Sequence, residues 1–414
     1  MQETFDVRLN DFIFGGDMIG RLPDGRAVFV PFGLPGELVR VHLVEEKANF
    51  TRAVIDKILE PSPVRIAARC KHFGTCGGCN YQHLSYADQL AAKKAIVKDQ
   101  LKRLGGLPDF PVADVVPSPD PWNYRNTVQF NVSQEGTLGY QKANSNEFVA
   151  VRECHLPSPA INDLWPQIEL EAETGVDRVI LREGIEQDLI LGLVSKTDLA
   201  PDFSVDFPIS AVYISPNGTT PLSGDESVLM QVNGRDFRVS IESFFQVNPA
   251  QAGAMVEHVL KLAGNLKGKT VIDAYCGVGL FSAFLAPKAA RLIGIELSES
   301  SCDDYAVNLD EFSNVELYLD AVENVLPSLD LKPDLVVIDP PRAGLESRVI
   351  TALAEMSPAQ IIYVSCDPAT LARDLKRLLL KGYTLESVTP FDQFPQTYHI
   401  ECIANLSRSE NTTF

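Results

Sequence analysis

At 414 residues the chain is too long for one comfortable core, so two or three domains are expected. A content of 45% hydrophobic and 22% charged residues, with no apolar run near eighteen residues, excludes a membrane span. The net charge of −19 excludes broad, non-specific adhesion to nucleic acid and allows only a confined basic footprint; residues 61–120, with 8 Lys/Arg against 5 Asp/Glu, are the one basic section.

The opening MQETFDVRLNDFIFG lacks the basic start and apolar core of a signal peptide, so a cytoplasmic protein is expected. Structural disulfides are rare in that compartment, and eight cysteines there call for metal or chemistry. The first sixty residues read as short strands, FDVRLNDFI, AVFVPF, LVRVHLVEE and TRAVIDKIL, separated by the turn segments GGDMIG, LPDGR and GLPGE. That spacing predicts an OB-like β-barrel over 1–60, closed by Pro61-Ser62-Pro63.

Residues 61–240 read as an α+β central region. It opens on Cys70, Cys76 and Cys79, spaced C-x5-C-x2-C, with Cys154 75 residues further on. Zinc favours two short-spaced pairs, whereas three clustered cysteines plus a distant one suit an iron–sulfur cluster as well or better; spacing alone leaves both open. A helix over 86–105 follows, with Leu90, Ile96, Val97, Leu101 and Leu104 as its apolar positions, and it is expected to pack on the catalytic domain. Strand candidates come at Thr127 to Val132 and in RVILRE, DLILGLV and AVYIS.

Over 241–414 the rhythm changes to buried strands, TVIDAY, RLIGIEL, LVVIDP and QIIYVS, alternating with helical patterns. This predicts an α/β, Rossmann-like domain with a parallel sheet, whose ligands sit beyond the carboxyl ends of the strands. After the first strand, the run from Asp273 through Tyr275 to Gly279 carries glycines that let backbone approach a ligand, and Glu296 ends the next strand, where it can accept from ribose hydroxyls or remain a solvated carboxylate. Asp320 is a candidate for an adenine amine or a helix N-cap. The pattern fits a dinucleotide or S-adenosylmethionine. The missing third glycine and the rigid turn Asp339-Pro340-Pro341-Arg342 favour the methyl donor, and an arginine where exocyclic-amine methylation usually has an aromatic argues against that chemistry.

Cys366 sits between the strand QIIYVS and a helix that Asp367 and Pro368 begin. A helix N-terminus favours thiolate over thiol, which is what a nucleophile needs. Glu401, inside the apolar strand YHIECIANL, reads as a general base or as half of a salt bridge. Thiolate, carboxylate and methyl donor together suggest methylation of an unreactive ring carbon, with sulfur adding at C6 of a pyrimidine so that C5 becomes nucleophilic.

The run SCDPAT, with Asp339-Pro340-Pro341-Arg342, Phe244-Phe245-Gln246-Val247-Asn248 and His399-Ile400-Glu401, resembles the RNA 5-methyluridine methyltransferase family. The N-terminal barrel, including PFGLPGE, resembles that family's TRAM domain. The resemblance implies Cys366 as nucleophile and Glu401 as proton acceptor. It also implies Gln246, Tyr275, Glu296 and Asp339 in the pocket for S-adenosylmethionine and substrate, and a [4Fe–4S] cluster on Cys70, Cys76, Cys79 and Cys154, as in the branch acting on large-subunit rRNA. Cys276, Cys302 and Cys402 have no role in that pattern and are expected in the core. RNA is the implied partner, 23S rRNA ahead of the tRNA T-loop, for a monomeric protein. The barrel, Lys71, the lysines of 93–102 and Arg125 are the candidate contacts, though each lysine alone also reads as a solvated helix face. A non-catalytic iron–sulfur RNA-binding factor and a small-molecule oxidoreductase are the rival readings. The first would tolerate loss of Cys366 or Glu401, and the second leaves the barrel and the cysteine–glutamate pair without a purpose.

Overall fold

The structure, a computed structural model, describes residues 3–143, 145–198, 200, 204 and 208–408. Strands β1 (Thr4–Phe12), β2 (Met18–Arg21), β3 (Ala27–Val30), β4 (Leu38–Glu46) and β5 (Phe50–Glu60) close a barrel in the order β1-β2-β3-β5-β4. Alternate residues point inward, as the two-residue period requires, so Val7, Leu9, Val28, Val30, Val39 and Val41 fill it. The PFGLPGE turn has a structural task. Its Glu37 is fully buried and takes Arg65 bidentately, Nε at 2.6 Å and Nη2 at 2.7 Å, which ties the segment after the barrel back onto it.

Residues 61–85 form turns that carry Cys70, Cys76 and Cys79. Ser85 then caps α1 (Tyr86–Arg103) by accepting from Asp88 N. Its buried Val97 and Leu101 join the same hydrophobic cluster as Ile272, Ile293 and Leu371 of the C-terminal half.

The central sheet runs β12-β11-β10-β9-β6-β7-β8, built from β6 (Thr127–Val132), β7 (Leu138–Gln141), β8 (Phe148–Ala150), β9 (Val176–Glu183), β10 (Leu189–Ser195), β11 (Ser210–Ser215) and β12 (Gly218–Ser223). Phe130, Leu181 and Leu193 pack under the short helix α2 (Pro159–Leu164) and Trp165. A hairpin of β13 (Ser227–Val232) and β14 (Arg235–Ser240) leads into the C-terminal half.

There α3 (Pro249–Ala263), β15 (Thr270–Ala274), α4 (Leu280–Leu285), β16 (Arg291–Glu296), α5 (Glu299–Asn308), β17 (Val315–Leu319), α6 (Val322–Val325), β18 (Leu335–Ile338), α7 (Ser347–Met356), β19 (Gln360–Ser365), α8 (Pro368–Leu379), β20 (Tyr383–Phe391) and β21 (Glu401–Arg408) follow in turn. The sheet order is β17-β16-β15-β18-β19-β21-β20, with β17 to β19 parallel and β21 antiparallel to both its neighbours. The order reverses between β15 and β18, so the crevice for a ligand opens there, at the carboxyl edge.

Residues 112–116 also belong to this sheet in space. Ala113 N and Val116 N donate to Val388 O and Pro390 O, at 3.0 and 2.8 Å. The stretch from α1 through residue 116 therefore packs with the C-terminal half, although it lies among residues read from sequence as the central region. No helix among the described residues is long and apolar enough to cross a membrane.

Candidate active site and cysteine cavity

Four of the residues singled out by sequence end or follow strands at one edge: Tyr275 after β15, Glu296 closing β16, Asp320 after β17 and Asp339 after β18. Tyr275 holds a left-handed backbone, φ 62°, which costs a non-glycine residue about 1–3 kcal/mol. Its hydroxyl donates to Glu323 Oε1 at 2.6 Å. Gly277 is also left-handed, and a Cβ there would meet nothing within 4 Å, so this loop faces open space. Glu296 accepts from Gly277 N at 2.9 Å and from Leu297 N and Ser298 N at 2.8 Å, which locks the loop to the second strand. Asp320 accepts from Ala321 N and Asn324 Nδ2 at the start of α6. Gln246 arrives from the loop before α3, where its side-chain oxygen accepts from Gln393 Nε2 at 3.0 Å.

Cys366 follows β19 and is half-buried, within reach of solvent. In the antiparallel register Gln360 faces Ser407 and Ser365 faces Cys402, so the next pair in line is Cys366 and Glu401. Because β21 runs backwards, its first residue lies at the edge where β19 has its last. Two residues 35 positions apart are thereby brought to the same edge of the sheet.

Burial pushes the Cys366 thiol up to about 12, the nearby Glu401 and Asp339 carboxyls add to the rise, and Arg342 opposes it. The expected help from the helix N-terminus is absent. Asp367 fills that position with its own carboxylate, accepting from Ala369 N and Thr370 N, both at 2.9 Å. The resting group is a thiol.

Glu401 is 5% exposed, and burial first, then Asp339, drives it well above the usual carboxylate range, with Arg342 opposing. Among the described residues no ion pair or side-chain hydrogen bond engages it, so the salt-bridge alternative is not realised. Asp339 rises to about 7 through burial and then Asp273. Asp273 is itself up to about 7 from burial, its Oδ1 has no partner, and its other oxygen accepts from Ser282 Oγ at 2.6 Å. Three buried carboxyls, Asp273, Asp339 and Glu401, are thus raised together at this edge.

Two further groups escaped the sequence reading as individual contributors. Arg342 is the cation that moderates both Cys366 and Glu401. His399 is held neutral, down to about 4, by burial and then by Arg342, Lys93 and Arg125. Only the crowding of charges in three dimensions makes either visible.

Cys70, Cys76, Cys79 and Cys154 line one cavity of about 260 Å³, together with His72 and Tyr140 among others. Gly77 N to Gln141 O at 2.9 Å, and Lys71 N to Glu153 Oε1 at 2.9 Å, lay the cysteine turns against β7 and the segment after β8, and so bring in the distant Cys154. Burial pushes the Cys79 thiol up to about 12, and the other three thiols add to the rise. Among the described residues no three His, Cys, Asp or Glu side chains converge tightly enough to hold a single metal ion.

Residues 225–409 match the family model described as tRNA (Uracil-5-)-methyltransferase, and residues 2–55 match the TRAM domain. An uncharacterized RNA methyltransferase of Bacillus cereus (strain ATCC 10987 / NRS 248) is 32% identical, over 99% of this chain and 97% of that protein. Another from Aquifex aeolicus (strain VF5) is 36% identical, over 97% of each. The crystal structure of Pyrococcus abyssi tRNA (uracil-54, C5)-methyltransferase in complex with S-adenosyl-L-homocysteine is similar at a TM-score of 0.75 and 26% identity, covering 97% of this chain and 99% of that one.

The chain belongs to the RNA (uracil-5-)-methyltransferase family. It is an S-adenosylmethionine-dependent enzyme. For this methyltransferase one expected RNA contact needs correction. Lys93 has a fully buried side chain paired with an equally buried Asp392, so it cannot meet a phosphate. Lys94 pairs with Asp114 at 2.5 Å, while the Lys71 side chain is 85% exposed and lies 3.6 Å from Glu153.

Proposed function

We propose that this enzyme methylates C5 of one specific uridine in RNA, with Cys366 as nucleophile and Glu401 as proton acceptor. The observation that supports the reading is the register pairing Ser365 with Cys402, the chain neighbours of Cys366 and Glu401, at the sheet's carboxyl edge. Cys366 gives up its thiol proton to water and bonds through sulfur to C6, which moves the C5–C6 π pair onto C5 and O4. S-adenosylmethionine supplies an electrophilic methyl group. C5 takes that methyl, and the C–S pair stays with the departing sulfur. The Glu401 carboxylate then removes the C5 proton, the ring double bond re-forms, and the C6–S pair returns to Cys366 as thiolate. Arg342 favours the ionised forms that burial resists.

Gln246, Tyr275, Glu296, Asp320 and Asp339 would hold donor and base, Glu296 toward the ribose and Asp320 toward the adenine amine. We read the chain as a barrel over 1–60, a central region over 61–240 and a methyltransferase domain over 241–414, with α1 and residues 112–116 counted with the last. Uridine C6 is hidden in a stacked pair, so the target base is unpaired or flipped. The RNA is read as 23S rRNA. A tRNA T-loop uridine is the second reading, favoured by the full-length likeness to the Pyrococcus abyssi enzyme. Incubation with labelled S-adenosylmethionine and total RNA lacking 5-methyluridine, followed by nucleoside mass spectrometry and site mapping, tests this. Label should appear as 5-methyluridine at one 23S position; label on an exocyclic nitrogen, or none in RNA, would overturn the reading.

Cys70, Cys76, Cys79 and Cys154 would hold a [4Fe–4S] cluster, which would pin the 70–79 turns to the central sheet. The chemistry above needs no redox step. Protein purified without oxygen should be brown and carry about four iron and four sulfide per chain. Colourless protein with one zinc would refute the cluster.

A further inference from the structure

The chain between β20 and β21, residues 392–400, is a connection with most of its residues buried, and buried loops are rare because their backbone groups need partners. The partners here come from distant segments. Gln89 Oε1 accepts from Gln396 N and Gln89 Nε2 donates to Gln396 Oε1, both at 3.0 Å. Asn80 N and Tyr81 N donate to Gln396 O at 2.9 and 3.0 Å, and Tyr124 OH donates to Pro395 O at 3.1 Å. Gln396 holds φ at 71°, a strained conformation that persists only where its surroundings over-determine it.

One residue stands out in that set. Lys93, one helical turn beyond Gln89 on α1, buries its ammonium completely. It pairs with Asp392 and donates to Phe394 O at 3.0 Å. The same carbonyl accepts from Thr397 Oγ1 at 2.8 Å, and Thr397 Oγ1 accepts in turn from His399 N at 3.1 Å. An unbroken chain of hydrogen bonds thus runs from the helix to a point two residues before Glu401. A buried lysine is costly to keep, and a pair of apolar side chains would usually hold a helix on a loop as well or better. What apolar residues cannot provide is a directional bond to one carbonyl.

We propose that Lys93 is a positioning residue for proton removal: it fixes the 392–400 connection through Asp392, Phe394 O and Thr397, and so aims the Glu401 carboxylate at C5 of the base. This rests on the reading of Glu401 as proton acceptor. The step at stake is the last one, in which the C5 proton passes to the carboxylate and the C6–S bond breaks. A carboxylate displaced by about 1 Å would slow that step about a hundredfold while leaving addition and methyl transfer largely intact.

The test uses the full chain, S-adenosylmethionine and the RNA above, with three variants beside Glu401→Gln: Lys93→Met, Thr397→Val, and the double variant Lys93→Met/Asp392→Leu, which leaves no unpaired buried charge. The readouts are the RNA–protein adduct surviving on a denaturing gel, the methyl content of the trapped base, and donor binding. All three variants should accumulate adduct carrying an already methylated base, with turnover down about a hundredfold and donor affinity within twofold of the parent. If Lys93→Met fails to fold, the double variant and Thr397→Val decide. Loss of turnover with no adduct, or full turnover in the double variant, would overturn the positioning role. If Glu401→Gln itself forms no adduct, the reading of Glu401 fails and this inference falls with it.

Discussion

Cys366→Ala yields an enzyme that still binds S-adenosylmethionine and RNA but transfers no methyl group, a loss of about 10⁶ or to below detection. It forms no covalent adduct under any condition. The side chain sits half-buried on a strand tip, so its removal leaves no large cavity and should cost little stability. Lost activity with an unchanged melting temperature then isolates chemistry from folding. The parent enzyme should also form adduct faster as pH rises through the neutral range, without a plateau below about pH 9, because its thiol is held up at about 12 before substrate binds. Residual methylation at even a hundredth of the parent rate in Cys366→Ala would end the case for sulfur addition.

Glu401→Gln should do the opposite with the adduct. The amide cannot take a proton, so sulfur adds, methyl transfers once, and elimination stalls. Steady-state turnover falls by about 10²–10⁴. A single burst approaching one methyl per active site, with the RNA still attached to protein on a denaturing gel, is the signature. The substitution removes a carboxyl that burial and Asp339 penalise, so Glu401→Gln should be no less stable than the parent. If it turns over normally, another base serves the reaction.

Much of this was legible in the chain itself. Alternating apolar residues announced the barrel, and buried strands between helical stretches announced the parallel sheet. Cys366 was placed at a strand tip because an apolar run stops there and Asp367-Pro368 starts a helix. Local patterns fail where partners are remote. The sequence rightly marks Asp367 as the helix cap, but the thiolate argument leaves out that this carboxylate already takes the free amides there. Lys93 looked like one of several solvated lysines, because its counter-ion lies 299 residues away. The meeting of Cys366 with Glu401 depends on β21 running antiparallel, which no period along the chain encodes. The four cysteines were readable as a set from their spacing, but the cavity they line together was not.

The bond between Gln89 and Gln396 spans 307 residues. During synthesis, α1 leaves the ribosome long before the segment it must grip has been translated, a delay of about 15–60 s at ordinary elongation rates. Until then its apolar stripe has no C-terminal sheet to lie on. The barrel and the central sheet precede that segment, whereas the half that carries out the reaction must wait until β20 and β21 have been translated. A chain cut short at any earlier point is left with an inert scaffold bearing an uncovered helix, so truncated products should be recognised by chaperones and proteases and not persist as RNA-binding competitors.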